Sequence, residues 1–140
     1  MAGYSGKPLV VKLGIKPGHR LALLEAPPGF EDVLGALPDG VVPASRLGRV
    51  HDMIVLFVTS RAQLEKRFAT AAKRLDPAGA LWVSWPKRAS GVATDVTEDV
   101  VREVALATGL VDVKVCAVDE TWSGLKCVVR VKDRPAASAR

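Results

Sequence analysis

The chain has 140 residues, of which 49% are hydrophobic and 25% are charged, and its formal net charge is +5 at pH 7. This length and hydrophobic content predict one folded domain and exclude a disordered chain. Because every apolar run is shorter than the roughly 18–20 residues of a membrane span, and the N-terminus has no apolar signal-peptide core, we expect a cytoplasmic protein without membrane contact.

The counts of cysteine and histidine limit the chemistry of the chain. Cys116, Cys127, His19 and His51 have no metal-ligand spacing, and two cysteines are too few for a disulfide scaffold. We therefore predict no metal site. The positive net charge permits an acidic partner but does not require one, and we favour solubilising surface charge as its explanation.

The first third of the chain predicts helix, strand, helix and a weaker strand. Residues 7–13 suit a short helix that ends at Gly14, and residues 20–24 a buried strand. Residues 41–47 suit a peripheral strand, because Pro43 interrupts them. Between these strands, apolar residues at i, i+3, i+4 and i+7 predict an amphipathic helix. They are Phe30, Val33, Leu34 and Leu37.

The middle of the chain predicts a third strand, a helix and the central strand. Residues 52–58 are almost all apolar, and Ser60 with Gln63 forms a capping box for a helix that runs to about Leu75. The apolar run 79–85 is bounded by turn residues, which is typical of a strand buried on both faces.

The last part predicts a helix and a hairpin. Asp95 and Glu98 suit the start of the helix, and Gly109 its end. Residues 111–117 and 125–131 alternate between apolar and polar, so they predict two antiparallel strands at the sheet edge.

The register of this hairpin decides the state of the cysteines. Counting symmetrically from the turn sets Cys116 opposite Cys127, but it also sets Val113 opposite Arg130. A shift of one residue pairs apolar with apolar side chains and moves the cysteines to opposite faces. We therefore predict free thiols.

Alternating helices and strands predict an α/β fold, a three-layer Rossmann-like sandwich. Its sheet is mostly parallel, with an antiparallel C-terminal edge hairpin. We assign residues 1–133 to this single domain and residues 134–140 to a flexible tail.

Three stretches make the chain resemble the class I methyltransferase form of the Rossmann fold. Residues 13–24 are similar to the lead-in to that family's first strand, residues 51–56 to its "FD-hydrophobic" strand, and residues 75–83 to its L-x-P-G-G-x-L strand entry. The resemblance implies a methyltransferase-like fold and, in the family, S-adenosylmethionine as cofactor.

The chain departs from that family at the cofactor loop. Pro27 and Pro28 occupy the glycine-rich loop and leave only Gly29, while residues 44–46 replace the acidic residue expected after the second strand. Glu25 is retained at the end of the first strand. Since proline lacks an N–H and fixes φ, our main interpretation predicts no cofactor.

Residues 85–95 and 113–126 resemble a small uncharacterised bacterial family of about this chain length. This resemblance implies a bacterial, cytoplasmic, stand-alone domain and supplies no activity.

Ligands of open parallel sheets bind beyond the carboxyl ends of the strands. His19 and His51 precede their strands, so we expect surface or turn histidines at the opposite edge. There is no G-x-S-x-G or phosphate-loop motif, and we predict no catalytic residue. Candidate ligand contacts at the carboxyl edge are Glu25, Thr59, Arg61, Lys87, Arg88, Ser90, Asp119 and Trp122.

Three functions follow. The main prediction is a non-catalytic Rossmann-like module that binds a small ligand or a protein partner at this edge. The alternative is an S-adenosylmethionine-dependent methyltransferase with an atypical cofactor loop. The third is weak association with nucleic acid through a basic helix face. That face comprises Arg61, Lys66, Arg67, Lys73 and Arg74. Nothing in the sequence specifies an oligomeric state.

Overall fold

The computed structural model describes residues 7–135. Its α-helices are α1 (Leu9–Leu13), α2 (Phe30–Leu34), α3 (Arg61–Lys73) and α4 (Glu98–Thr108). Its strands are β1 (Leu21–Leu24), β2 (His51–Phe57), β3 (Leu75–Pro86), β4 (Leu110–Ala117) and β5 (Trp122–Val129). Of the predicted tail, residues 136–140 lie outside the described part of the chain.

These strands form one sheet in the order β1-β2-β3-β5-β4. Strands β1, β2 and β3 are parallel, and β5 is antiparallel to both β3 and β4. One apolar core lies between the sheet and helices α3 and α4, around Phe68 and Val101. The other lies on the opposite face, around Leu13 and Phe30 of α1 and α2. The predicted three-layer α/β fold with a C-terminal edge hairpin is confirmed.

The predicted second strand, residues 41–47, is wrong as a strand. It is reduced to one parallel bridge, in which Ala44 lies beside Ala22. The Ala44 N–H donates to the Leu21 carbonyl at 2.9 Å, and the Ala44 carbonyl accepts from the Leu23 N–H at 2.8 Å. Pro43 has no N–H to extend this ladder. The sheet therefore ends at β1, beside a segment that touches it at one point.

The second helix is shorter than its apolar spacing predicts. It ends at Leu34 because Gly35 follows with φ 83° and ψ −160°, outside the helical region. Phe30 and Leu34 are buried as expected. Val33 is 40% exposed, and Leu37 packs on the core from beyond the helix. The chain thus forms little more than one turn before the next loop.

Strand β3 begins earlier than the predicted residue 79. Its pairing with β2 runs from His51–Leu75 to Met53–Ala80, so the β3 side carries extra residues between these two pairs. Residues 81–86 are all buried, as expected for a central strand. The turn-forming composition around Gly79 produces this irregularity within the strand.

The cysteines confirm the prediction of free thiols on opposite faces. Cys127 is buried in the core under α3 and α4, and Cys116 packs against the other core. Burial raises the pKa of Cys127 to about 12. The register itself differs from the predicted one, because β5 already begins at Trp122 and the pairing shifts between Asp112 and Lys114.

The predicted capping box of α3 forms with one change, because the Gln63 side chain bonds the N–H of Thr59 in place of that of Ser60. The Gln63 N–H donates to Ser60 Oγ at 3.1 Å, and Gln63 Oε1 accepts from the Thr59 N–H at 3.0 Å. The helix consequently begins directly after β2, which ends at Phe57 at the carboxyl edge of the sheet.

Between residues 7 and 135, no helix has both the length and the apolar content to cross a bilayer. Within the same residues, no three His, Cys, Asp or Glu side chains are grouped so that they would hold a metal ion.

Candidate functional site

Three concave surfaces lie at or beside the carboxyl ends of the parallel strands. The β1 cavity, about 440 Å³, is lined by Leu23, Glu25, Ala26, Pro27, Pro28, Gly29, Phe30, Glu31, Pro43, Ala44 and Ser45. The α3 groove, about 360 Å³, is lined by Leu24, Glu25, Ser45, Arg46, Leu47, Lys66, Arg67 and Thr70. The β3 cavity, about 540 Å³, is lined by Trp85, Pro86, Lys87, Arg88, Gly91, Val92, Ala93, Thr94, Val96, Thr97, Glu98 and Ser123.

Glu25 is held in an unusual backbone conformation at the mouth of the β1 cavity. Its φ is 59°, and among residues 7–135 it is the one non-glycine residue with positive φ. For a residue with a side chain this left-handed conformation costs about 1–2 kcal/mol. Backbone strain of this kind is concentrated at functional sites. The turn after β1 is thus built around Glu25 at an energetic cost.

The loop that follows Glu25 is rigid and leaves room above its backbone. Pro27 and Pro28 fix φ and offer no N–H donors. Gly29 has φ 83°, and a Cβ built on it would meet no atom within 4 Å. A ligand can therefore approach the backbone at Gly29, whereas hydrogen bonds from the two preceding residues are excluded.

Trp122 closes the carboxyl end of the sheet together with two phenylalanines. Its ring packs edge-on against Phe57 at 5.1 Å, and Phe57 packs edge-on against Phe30 at 4.8 Å. Trp122 is partly buried, and it adjoins the core formed with α1 and α2. The candidate contact Trp122 thus belongs to an aromatic cluster that covers the sheet end.

Thr59 and Asp119 organise the loops in which they lie. The Thr59 carbonyl accepts from Thr94 Oγ1 at 2.6 Å. Asp119 Oδ1 accepts from the N–H groups of Thr121 and Trp122, both at 2.8 Å, and so stabilises the turn between β4 and β5. The exposed Thr59 side chain remains available at this edge.

Arg61 is already neutralised by two carboxylates. Its guanidinium contacts Glu65 at 3.0 Å and Glu103 at 2.7 Å, and these bonds raise its pKa. The backbone N–H of Arg61 donates to Asp95 Oδ1 at 2.7 Å. The predicted Asp95 cap of α4 is therefore wrong, because Asp95 serves the start of α3 while Thr97 caps α4.

Lys87 and Arg88 line the β3 cavity, and Ser90 lies in the turn that follows them. The Lys87 N–H donates to the Thr121 carbonyl at 2.7 Å, which ties this loop to the β4–β5 turn. Ser90 Oγ donates to the Lys87 carbonyl at 2.6 Å and accepts from the Val92 N–H at 3.2 Å. Ser90 is thus used by its own turn, while the Lys87 and Arg88 side chains line the cavity.

The two histidines lie at the edge opposite these cavities, but only His19 is in a turn. Its Nδ1 accepts from the Lys16 N–H at 3.1 Å. His51 is buried, contrary to expectation; its Nε2 accepts from the Gly48 N–H at 2.8 Å, and burial lowers its pKa. It is the first residue of β2, and the β2–β3 irregularity beside it draws it into the sheet.

The α3 groove brings together residues that sequence reasoning left apart. Arg67 Nη1 lies 3.5 Å from Glu25 Oε2, so the basic helix contacts the end of β1. Arg46 and Lys66 line the same groove. The spacing of the α3 cations showed a basic face, but no sequence signal placed Arg46 beside it, since residues 41–47 were expected to continue the sheet.

Solved structures with a similar fold include several methyltransferases. One, from Aquifex aeolicus, has a TM-score of 0.62 and 16% identity over 91% of each chain. The magnesium protoporphyrin IX methyltransferase from Synechocystis PCC 6803 with bound SAH has a TM-score of 0.61 and 15% identity, over 87% of this chain and 78% of its own. The ribosomal protein L11 methylase from Lactobacillus delbrueckii subsp. bulgaricus has a TM-score of 0.61 and 11% identity, over 87% and 75%.

These similarities show the fold of the S-adenosylmethionine-dependent methyltransferases. No family model and no curated protein matches the chain. The resemblance to an uncharacterised bacterial family therefore stays a prediction.

Proposed function

We propose that this chain binds an adenosyl ligand, S-adenosylmethionine first among the candidates, in the β1 cavity, and that it acts as a methyltransferase. The observation that carries the proposal is the strained Glu25 at the mouth of that cavity, in a chain with a methyltransferase fold. This function differs from the main sequence prediction and corresponds to its alternative.

The residues of the β1 cavity fit an adenosyl group. Its volume of about 440 Å³ falls within the roughly 300–1,000 Å³ of ordinary ligand pockets. The Glu25 carboxylate is about half exposed and can accept hydrogen bonds from ligand hydroxyl or ammonium groups. The open space above Gly29 admits the ligand, and Pro27 and Pro28 themselves donate no hydrogen bond to it.

When bound, S-adenosylmethionine supplies an electrophilic methyl group. The chain's own contribution is to hold and orient the ligand: Glu25 fixes its polar groups, and Pro27 and Pro28 offer apolar surface. The β3 cavity lies beyond the end of another parallel strand, so a methyl acceptor placed there meets the same sheet edge.

Isothermal titration with S-adenosylmethionine and S-adenosylhomocysteine tests the proposal. We expect both to bind, and Glu25→Gln to weaken binding by about tenfold or more, because a charge-assisted hydrogen bond is replaced by a neutral one. Glu120→Gln is the matched control, since Glu120 is an exposed carboxylate in the β4–β5 turn. Absence of binding at millimolar ligand, or equal losses in both variants, would contradict the proposal.

The β3 cavity favours a second candidate function, the non-catalytic module of our main prediction. Lys87 and Arg88 line the largest of the three concave surfaces described above. A small ligand or a protein partner held there would need no methyl donor. Replacing both residues by glutamine is expected to abolish that affinity while leaving S-adenosylmethionine binding unchanged; a partner whose affinity is unaffected by the double variant does not use this cavity.

A further inference from the structure

The α3 groove carries an excess of positive charge. Arg46, Lys66 and Arg67 line it, and Glu25 is its one carboxylate. Arg67 lies near Glu25, at 3.5 Å. Within residues 7–135, neither Arg46 nor Lys66 has a carboxylate within ion-pair distance. Two cations therefore remain without a counter-charge around a concave surface of about 360 Å³.

The floor of the groove is apolar and its rim carries hydroxyl groups. Leu24 is 9% exposed, and Leu47 is partly buried against the same core. Ser45 and Thr70 also line the groove, and Thr70 Oγ1 donates to the Lys66 carbonyl at 3.4 Å. A ligand that matches this surface has an apolar part for the leucines and an oxyanion for the cations.

We propose that the α3 groove binds a phosphate monoester that carries a planar aromatic ring, such as a mononucleotide. The phosphate lies between Arg46, Lys66 and Arg67. The planar guanidinium groups of the two arginines and the compact ammonium group of the lysine donate hydrogen bonds to it. The ring lies on Leu24 and Leu47. This site goes beyond the adenosyl site of the β1 cavity, with which it shares the lining residues Glu25 and Ser45.

The groove exists because the second strand is missing. The chain touches β1 only at Ala44 and then turns away, so the side of α3 facing residues 45–47 is left uncovered. The cations of α3 therefore face a concave surface instead of solvent alone.

The distribution of charge on α3 favours a small phosphate over a nucleic acid. At the start of the helix Arg61 is neutralised by Glu65 and Glu103, so the basic surface does not continue along the whole helix. A nucleic acid gains affinity from a long series of phosphate contacts. Here Arg46 and Lys66 lie together with Arg67 around one groove, whereas Lys73 and Arg74 lie outside it.

Titration with UMP and uridine tests the site without engaging an adenosyl pocket. For the wild-type chain we expect UMP to bind at least about tenfold more tightly than uridine, because hydrogen bonds to charged groups contribute more than 1 kcal/mol. The double variant Arg46→Gln/Lys66→Gln removes the two unpaired cations. We expect it to weaken UMP binding by at least about tenfold and to leave uridine unchanged.

The control is Lys73→Gln/Lys132→Gln, which removes the same net charge from two exposed residues outside the groove. It should leave UMP affinity within about twofold at physiological ionic strength, where distant exposed charges are screened. Thermal unfolding of both double variants confirms that each is folded.

UMP that binds no better than uridine, or an equal loss in the two double variants, overturns the proposal. A single-stranded RNA 20-mer that binds more tightly than UMP and is weakened equally by both variants also overturns it, in favour of nucleic acid. Loss of S-adenosylmethionine binding alone would contradict the proposed function and not this site, because neither UMP nor uridine is an adenosyl compound.

Discussion

Because the backbone at Glu25 is strained, we expect glycine to be more stable than alanine at this position, the reverse of their order in a helix. Both Glu25→Gly and Glu25→Ala remove the carboxylate and its contact with Arg67, so the difference between them reports the backbone alone. Alanine in the left-handed region costs about 1–2 kcal/mol. Glycine avoids this cost, but it loses about 0.5–1 kcal/mol more conformational entropy than alanine when the chain folds. We expect Glu25→Gly to be the more stable variant by about 0.5–1 kcal/mol.

Chemical and thermal unfolding measure this difference. For a chain of 140 residues, a change of 1 kcal/mol moves the melting temperature by about 3–4 °C. Glu31 provides the control, because it is exposed and lies in the ordinary helical conformation of α2. There the order should be reversed, with alanine more stable than glycine by about 0.5–1 kcal/mol. If alanine is also the more stable residue at position 25, the backbone there is not strained.

Two further predictions concern the edge opposite the cavities. Gly79→Ala should destabilise the fold by about 2–3 kcal/mol in urea unfolding, because its Cβ would lie 2.4 Å from the Asp52 carbonyl oxygen; a loss below about 0.5 kcal/mol would show that the strand relaxes freely. Hydrogen bonds from Arg20 lower the pKa of Asp52 from 3.8 to about 2. The stabilisation of the fold by the Asp52 carboxylate is therefore present above pH 4 and is lost as the pH falls from about 4 to 2. Because Arg20 is half exposed, we expect this stabilisation to be about 1 kcal/mol. The free energy of unfolding should then fall more steeply with acid in the wild type than in Asp52→Asn. Parallel curves of unfolding free energy against pH would refute the prediction.

The alternation of apolar and turn residues was enough to predict the fold class. The apolar runs that became β2 and β3 are long, and Ser60 with Gln63 marks a helix start within a few residues. Such signals are local, because backbone hydrogen bonding and side-chain burial in these segments depend on short stretches of chain.

Elements with weaker local signals were decided by the tertiary structure. The segment 41–47 has strand-like composition, yet it pairs only at Ala44, because Pro43 interrupts the ladder and no further strand covers its outer side. In the hairpin, pairing with β3 recruits Trp122 and the residues after it into β5, which moves the register away from the one predicted.

In the candidate site, too, some features were predictable from the sequence and others depend on the tertiary structure. The sequence alone determined which strand ends meet at the carboxyl edge, and therefore that Glu25, Thr59 and Lys87 share it. Their contacts depend on side chains distant in sequence: the ion pair of Arg67 with Glu25 joins residues of two different elements.

By itself, then, the sequence determined an α/β sandwich with a methyltransferase-like order of elements, because periodicity and chain order encode both. The tertiary structure decided the left-handed Glu25, the neutralisation of Arg61 and the groove that Arg46 shares with Lys66. Backbone strain and charge pairing depend on how distant segments approach one another, and no local pattern carries that information.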